Sequence, residues 1–189
     1  MKSKLKNLSK KHKKLLFFGL VLVLFVVFVA AAPKRVRIMD KTTQLMRSST
    51  LKYAKRALSR INQIVVHHSA SIGQRAEDYA RYHVQSKGWP GIGYHFVIEV
   101  NGDIIQANPL TNVSYNVSGH NTRSIGICLS GDFTKQEPSS QQLKSLKNLI
   151  AHLRRQLPQQ LEVFGHKDYG QTSCPGPNLE KHLHKFQRA

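Results

Sequence analysis

Apolar positions divide this 189-residue chain into one long unbroken run near the start and a series of short patterned segments after it. The run Leu15 to Ala32 holds 18 uncharged residues, apolar on every side of a helix. From Ile61 to His68, the β-branched Ile64, Val65 and Val66 predict a strand ended by Ser69-Ala70-Ser71. Ala76, Tyr79, Ala80, His83 and Val84 recur at helical spacing and predict a helix over 74–87, with Gly88 as its stop. His95 to Val100, then Asn101-Gly102-Asp103 and Ile104-Ile105, predict a hairpin closed by a tight primed turn on Asn-Gly. Ser124 to Leu129 reads as a buried strand. Past Pro138-Ser139, Leu143, Leu146, Leu149, Ile150 and Leu153 form the apolar stripe of a helix with Lys144, Lys147, Arg154 and Arg155 opposite. Leu161 to Phe164 completes the series as a short strand that delivers His166 at its end.

This order predicts an α/β fold, a single mixed central sheet flanked by helices, over residues 61–189. Residues 33–60 are polar and basic with few large apolar side chains, and read as a linker or a loosely docked helix. Residues 1–14 form a basic cytoplasmic segment, and 15–32 a membrane-spanning or signal helix. At 1.5 Å per residue the run reaches about 27 Å, close to the roughly 30 Å of bilayer hydrocarbon. The lysines before it outnumber the basic residues just after it, which keeps the amino end cytoplasmic and exports the rest. The chain is therefore expected in the extracytoplasmic space, anchored in the inner membrane, or secreted if Ala30-Ala31-Ala32 is cleaved.

The formal charge of +19 raises nucleic acid as a partner, but its distribution argues against one. Residues 1–60 carry 16 Lys/Arg against the single acid Asp40, and 61–189 carry 13 against 9. Basic residues around an apolar run set topology and attract anionic lipid. A monomer with no nucleic-acid partner is expected.

Two cysteines in an exported chain permit one disulfide. Their settings differ: Cys128 lies in the apolar run 124–129 as a small core hydrophobe, whereas Cys174 precedes Pro175-Gly176-Pro177, eight residues after His166. His67 or His68, His166 and Cys174 are thus candidate metal ligands. Two imidazoles and one thiolate suit zinc with a fourth position open, and sulfur disfavours calcium or magnesium. Spacing alone is a weak signal in a chain with ten histidines. His83 reads as a packing or surface residue, and His152, His182 and His184 as solvated helix positions.

Four blocks in order sharpen the reading: VVHHSAS from Val65, KGWPGIGYHFVIEVNGDI from Lys87, GHNTRSIGICLSGDF from Gly119, and GHKDYGQTSCPGPNL from Gly165. Together they resemble the zinc N-acetylmuramoyl-L-alanine amidases, a family that includes phage lysozyme-type amidases and the animal peptidoglycan recognition proteins. The resemblance covers roughly residues 61–185. It implies a zinc hydrolase that cleaves the amide between N-acetylmuramic acid and L-alanine in peptidoglycan. It also implies His67, His166 and Cys174 as the ligands, with Tyr94 and Thr172 as catalytic hydroxyls. Several members carry a histidine where Asn116 aligns and a tyrosine where His120 stands, so both are expected at the substrate. A peptidoglycan-binding module without catalysis and a signal-anchored phage-type endolysin are the alternatives. Recognition-only relatives typically lack a ligand, whereas this chain keeps the full set.

Overall fold

Strand β2 (Gln63–His68) is buried along its whole length and lies between two parallel neighbours. The computed structural model describes residues 36–187. The remaining strands are β1 (Ile38–Asp40), β3 (Phe96–Ile98), β4 (Ile104–Gln106), β5 (Ser124–Leu129) and β6 (Glu162–Gly165). They form one mixed sheet in the order β1-β4-β3-β5-β2-β6, in which only β3 and β4 pair antiparallel. The helices are α1 (Ala76–Gln85), α2 (Ser140–Gln156) and α3 (Pro177–Gln187). The mixed sheet with flanking helices agrees with the sequence reading.

Strand alternation sorts the side chains onto two faces. Ile64 and Val66 of β2, Phe96 and Ile98 of β3, and Ile125, Ile127 and Leu129 of β5 turn to one side. There they pack with Leu146, Leu149, Ile150 and Leu153 of α2 and Leu179 and Leu183 of α3. The other face is thinner: Val97, Ile105 and Cys128 pack with Ala76, Tyr79 and Ala80 of α1. The stripe foreseen for α2 is the one it buries. Ser139 caps that helix: its Oγ accepts from Gln142 N and Gln142 Oε1 accepts from Ser139 N, each at 3.0 Å.

Two expectations are corrected. The Asn-Gly hairpin is not a two-residue primed turn. Gly102 N donates to Glu99 O at 2.8 Å and Glu99 N donates to Asp103 O at 2.9 Å, so three residues form the loop. Only Gly102 takes a positive φ, +86°. This is the arrangement of a type I turn followed by a left-handed glycine. A side chain at 102 would also meet Gln141 Cβ at 2.9 Å.

The linker drawn over 33–60 is, from Val36 onward, part of the fold. β1 pairs parallel with β4 at the sheet edge, and Leu45 and Tyr53 are buried. Few apolar residues are needed there because hydrogen bonds anchor the segment. Arg56 is buried and donates from Nε to Leu110 O and from Nη1 to the carbonyls of Asn121, Thr122 and Ser124, between 2.8 and 3.0 Å. Burial lowers its pKa only to about 10, so it keeps its charge at neutral pH. The basic segment 1–14 and the membrane helix 15–32 lie outside the described residues. Among the described residues no helix is long and apolar enough to cross a membrane.

Two outcomes test this packing. Arg56→Ala leaves four carbonyls, that of Ser124 buried and the others partly so, without their donor and is expected to cost about 3 kcal/mol in urea unfolding of the full chain. An unchanged midpoint would show that the segment contributes nothing. Burial also holds His95 down to about 3 and His83 to about 4, against 6.5 for a free imidazole. Between those values the unfolded chain binds more protons than the folded one, so stability is full above pH 6.5 and declines as pH falls. The urea midpoint of metal-free protein should therefore drop between pH 7.5 and pH 5, on the order of 1–2 kcal/mol for each histidine.

Candidate functional site

The thinner face of the sheet is where β2 turns His67. In register, His67 stands opposite Cys128 and Val65 opposite Gly126. His68, one residue on, faces the other way, where its Nδ1 accepts from Phe133 N at 3.2 Å. The rivalry between the two histidines is thus decided by the pleat: His67 alone reaches the site.

Two further elements arrive at the same end of the sheet. β6 runs parallel to β2 and hands over to a single 3-10 turn, His166–Tyr169, which puts the His166 ring centroid 4.7 Å from that of His67. The following loop carries Cys174, whose Sγ lies 3.7 Å from His67 Nδ1. One donor atom from each of His67, His166 and Cys174 falls within 4.8 Å of the others. The backbone N–H of His68 donates to Cys174 Sγ at 3.4 Å, and Cys174 N donates to Thr172 Oγ1 at 3.2 Å.

Burial at this cluster keeps its three donor groups uncharged. Burial pushes the Cys174 thiol up to about 12. Burial, and then the neighbouring His166, hold His67 well below its ordinary value, and burial also lowers His166. Both imidazoles therefore keep a lone pair at neutral pH, and a divalent ion can displace the thiol proton. Nitrogen and sulfur bound tetrahedrally at about 2.05 and 2.3 Å from one zinc sit about 3.6 Å apart, which the 3.7 Å between His67 Nδ1 and Cys174 Sγ meets. The three residues fit such an ion.

The remaining candidates surround the cluster in different ways. Tyr94 sits with its ring centroid 5.2 Å from His67. Burial, then the nearby thiols of Cys128 and Cys174, raise its phenol well above its ordinary value, so the proton stays on Oη. Thr172 is exposed, with its oxygen turned to the Cys174 amide. Asn116 is buried, 6% exposed, and packs over Gly126 of β5 on the face that carries His67. His120 is partly exposed, its ring 4.2 Å from that of Tyr169, and its Nδ1 accepts from Arg123 Nη2 at 2.8 Å. Both cysteines are free, and Cys128 is fully buried as a core residue, although it also lies against the Tyr94 hydroxyl.

Sequence reasoning missed two groups. A cavity of about 360 Å³ beside Tyr94 is lined by Ser69, Ser71, Gln74, Tyr79, Tyr82 and His83, which brings His83 to the rim of the site. Its signal was only Ser69-Ala70-Ser71 ending a strand next to a helix. Behind the site, fully buried His95 accepts from Gly126 N at 3.1 Å, and its Nε2 lies 2.9 Å from Arg56 Nη2. Nothing in the local pattern joins residues 56 and 95.

Comparison with known proteins finds both amidases and peptidoglycan recognition proteins. The chain is 28% identical over 169 residues to peptidoglycan-recognition protein SC2 of Drosophila simulans, covering 84% of this chain and 91% of that one. It is also 28% identical over 138 residues to an N-acetylmuramoyl-L-alanine amidase of Sus scrofa, covering 66% of this chain and 23% of that larger protein. Among solved structures, the amidase LysC from Clostridium intestinale URNW superposes with a TM-score of 0.64 at 30% identity, covering 79% of this chain and 97% of that one. The endolysin of bacteriophage Ph2119 from Thermus scotoductus MAT2119 superposes with a TM-score of 0.67 at 28% identity, covering 75% and 92%. The Amidase_2 profile, described as N-acetylmuramoyl-L-alanine amidase, matches residues 57–177 and so takes in the sheet strands that present His67 and His166 together with the loop of Cys174, and the chain belongs to that family.

Proposed function

We propose that this protein is a zinc-dependent N-acetylmuramoyl-L-alanine amidase that hydrolyses the bond between N-acetylmuramic acid and the L-alanine of the peptidoglycan stem. The observation that carries the reading is the meeting of two neutral imidazoles and one buried thiol at the end of β2. Zinc, when bound, supplies Lewis acidity for activating the amide carbonyl and makes hydroxide accessible near neutral pH. His67, His166 and Cys174 are the residues that would hold it.

The chain's own groups do the rest. Tyr94 keeps its proton and donates a hydrogen bond from Oη to the oxyanion that develops on the carbonyl, an interaction stronger in the transition state than in the substrate. Thr172 Oγ1 accepts the Cys174 amide and leaves its own proton free to point to the substrate; a hydroxyl contributes less than a charged group would. His68 N–H steadies the Cys174 sulfur. The cavity beside Tyr94 offers hydroxyls and an exposed Tyr82 ring, suited to an uncharged, hydroxyl-rich part of the substrate. Peptidoglycan lies outside the cytoplasmic membrane, and the lysine-flanked apolar run 15–32 supports export of the domain to it.

Relatives named as recognition proteins favour a second reading, binding of peptidoglycan without hydrolysis. The two separate when the purified full chain is incubated with sacculi and zinc. Hydrolysis releases stem peptides with a free L-alanine amino terminus; zinc-loaded protein that binds sacculi and releases none leaves recognition alone. His166→Ala and Cys174→Ala are each expected to weaken zinc binding and lower turnover by at least about 1,000-fold, because two protein donors hold the ion poorly. Tyr94→Phe should retain a full equivalent of zinc by metal analysis while turnover falls about 10- to 1,000-fold. Loss of metal in that variant would make the tyrosine structural.

A further inference from the structure

His67 presents Nδ1 to Cys174 Sγ, and its second ring nitrogen, Nε2, is buried without a hydrogen-bond partner. A neutral imidazole has one lone pair and one N–H. If Nδ1 offers its lone pair to a cation, Nε2 must carry the proton, and a buried N–H requires an acceptor. The neighbour with that chemistry is the Asn116 side chain, which packs over Gly126 of β5 on the sheet face that carries His67, within interaction range of the ring.

Asn116 is held there by contacts from several directions. It packs on Gly126, the residue opposite Val65 and two positions before the Cys128 that stands opposite His67. A Cβ at 126 would lie 2.7 Å from Asn116 Cβ and 3.1 Å from its Oδ1, so the strand is bare where the asparagine sits. Asn116 Nδ2 donates to Ser114 O at 3.3 Å, with Asn121 Oδ1 at 3.2 Å and Ser124 Oγ at 3.1 Å also in reach. The backbone N–H of Asn116 donates to Asn121 Oδ1 at 2.8 Å. The amide's donors are thus occupied. Its Oδ1 accepts only from Ser124 Oγ, at 3.2 Å, and keeps a second lone pair.

We propose that Asn116 is a positioning residue: its Oδ1 accepts the Nε2 proton of His67, which fixes the ring and tautomer so that the Nδ1 lone pair points at the place between His166 and Cys174. The proposal rests on the reading of His67 as a metal ligand, and replaces the substrate contact expected of Asn116 with a role behind the ring. Burial agrees, since a residue 6% exposed offers almost no surface to a polymer.

The test uses the full chain with two readouts. The first is the tautomer of His67 in metal-free protein, from long-range 1H–15N spectra of the imidazoles at a pH where the ring is neutral. The second is zinc affinity by competition with a chelator. The wild-type ring should be the Nε2–H form. Asn116→Leu, similar in size but without an acceptor, should lose that preference and bind zinc about 10- to 100-fold more weakly, the usual effect of removing the outer partner of a histidine ligand. Asn116→Asp, which keeps the acceptor, should retain both. Ser124→Ala, which loosens the asparagine but leaves its oxygen, should keep the tautomer.

A wild-type His67 protonated on Nδ1 would overturn the proposal without any variant, as would an Asn116→Leu protein with wild-type tautomer and affinity. Should the wild-type chain bind no zinc while its His67 is the Nε2–H form and loses it in Asn116→Leu, the hydrogen bond stands and the metal reading alone fails.

Discussion

The site depends on the pleat of a single two-residue step, His67-His68, in a strand buried on both sides. Adjacent residues of a strand must face opposite ways. One histidine therefore enters the side filled by α2 and α3, where it takes a backbone N–H from Phe133, and the other enters the side that α1 covers only in part. A shift of one residue in the pairing with β5 would exchange them. The register is held by Ile64 and Val66, which are fully buried against the larger cluster. The hydrophobic core thus fixes which imidazole is available for chemistry.

The parallel arrangement supplies the other two donors. β2 and β6 end on the same side of the sheet, so the residues that follow them converge there without a long excursion of the chain. His166 comes directly off β6, and Cys174 follows in the next loop. Burial at this end keeps both rings neutral and the thiol protonated in the absence of a positive charge. Such a set stays uncharged by itself, and its polarity is satisfied when a soft divalent ion is present.

Much of this was legible in the sequence because the elements around the site are strongly patterned. β2, β5 and α2 were identifiable from β-branched runs and a leucine stripe. The candidate donors were only weakly marked by spacing, since His67 lies about a hundred residues before the His166 and Cys174 pair and meets it only through strand pairing; family resemblance preferred His67 to His68. The segment before residue 61 misled for a physical reason: it is anchored by an arginine's hydrogen bonds to backbone carbonyls, which hydrophobic periodicity cannot register. Asn116 was named as a substrate contact, but its packing was hidden, because its neighbours Gly126 and Ser124 lie on β5 and become its contacts only after folding.

Arg56 also bears on how the stretch from Leu110 to Ser124 behaves. This stretch contains no named strand or helix before β5 begins at Ser124, yet one guanidinium grips its first carbonyl and three near its end. A connection of that length would ordinarily sample many shapes and would have to be ordered whenever a ligand arrived. With both ends tied to the same charged group, that ordering is completed during folding. His120, half-exposed on this stretch, is then carried on a wall that does not have to be assembled when a ligand arrives.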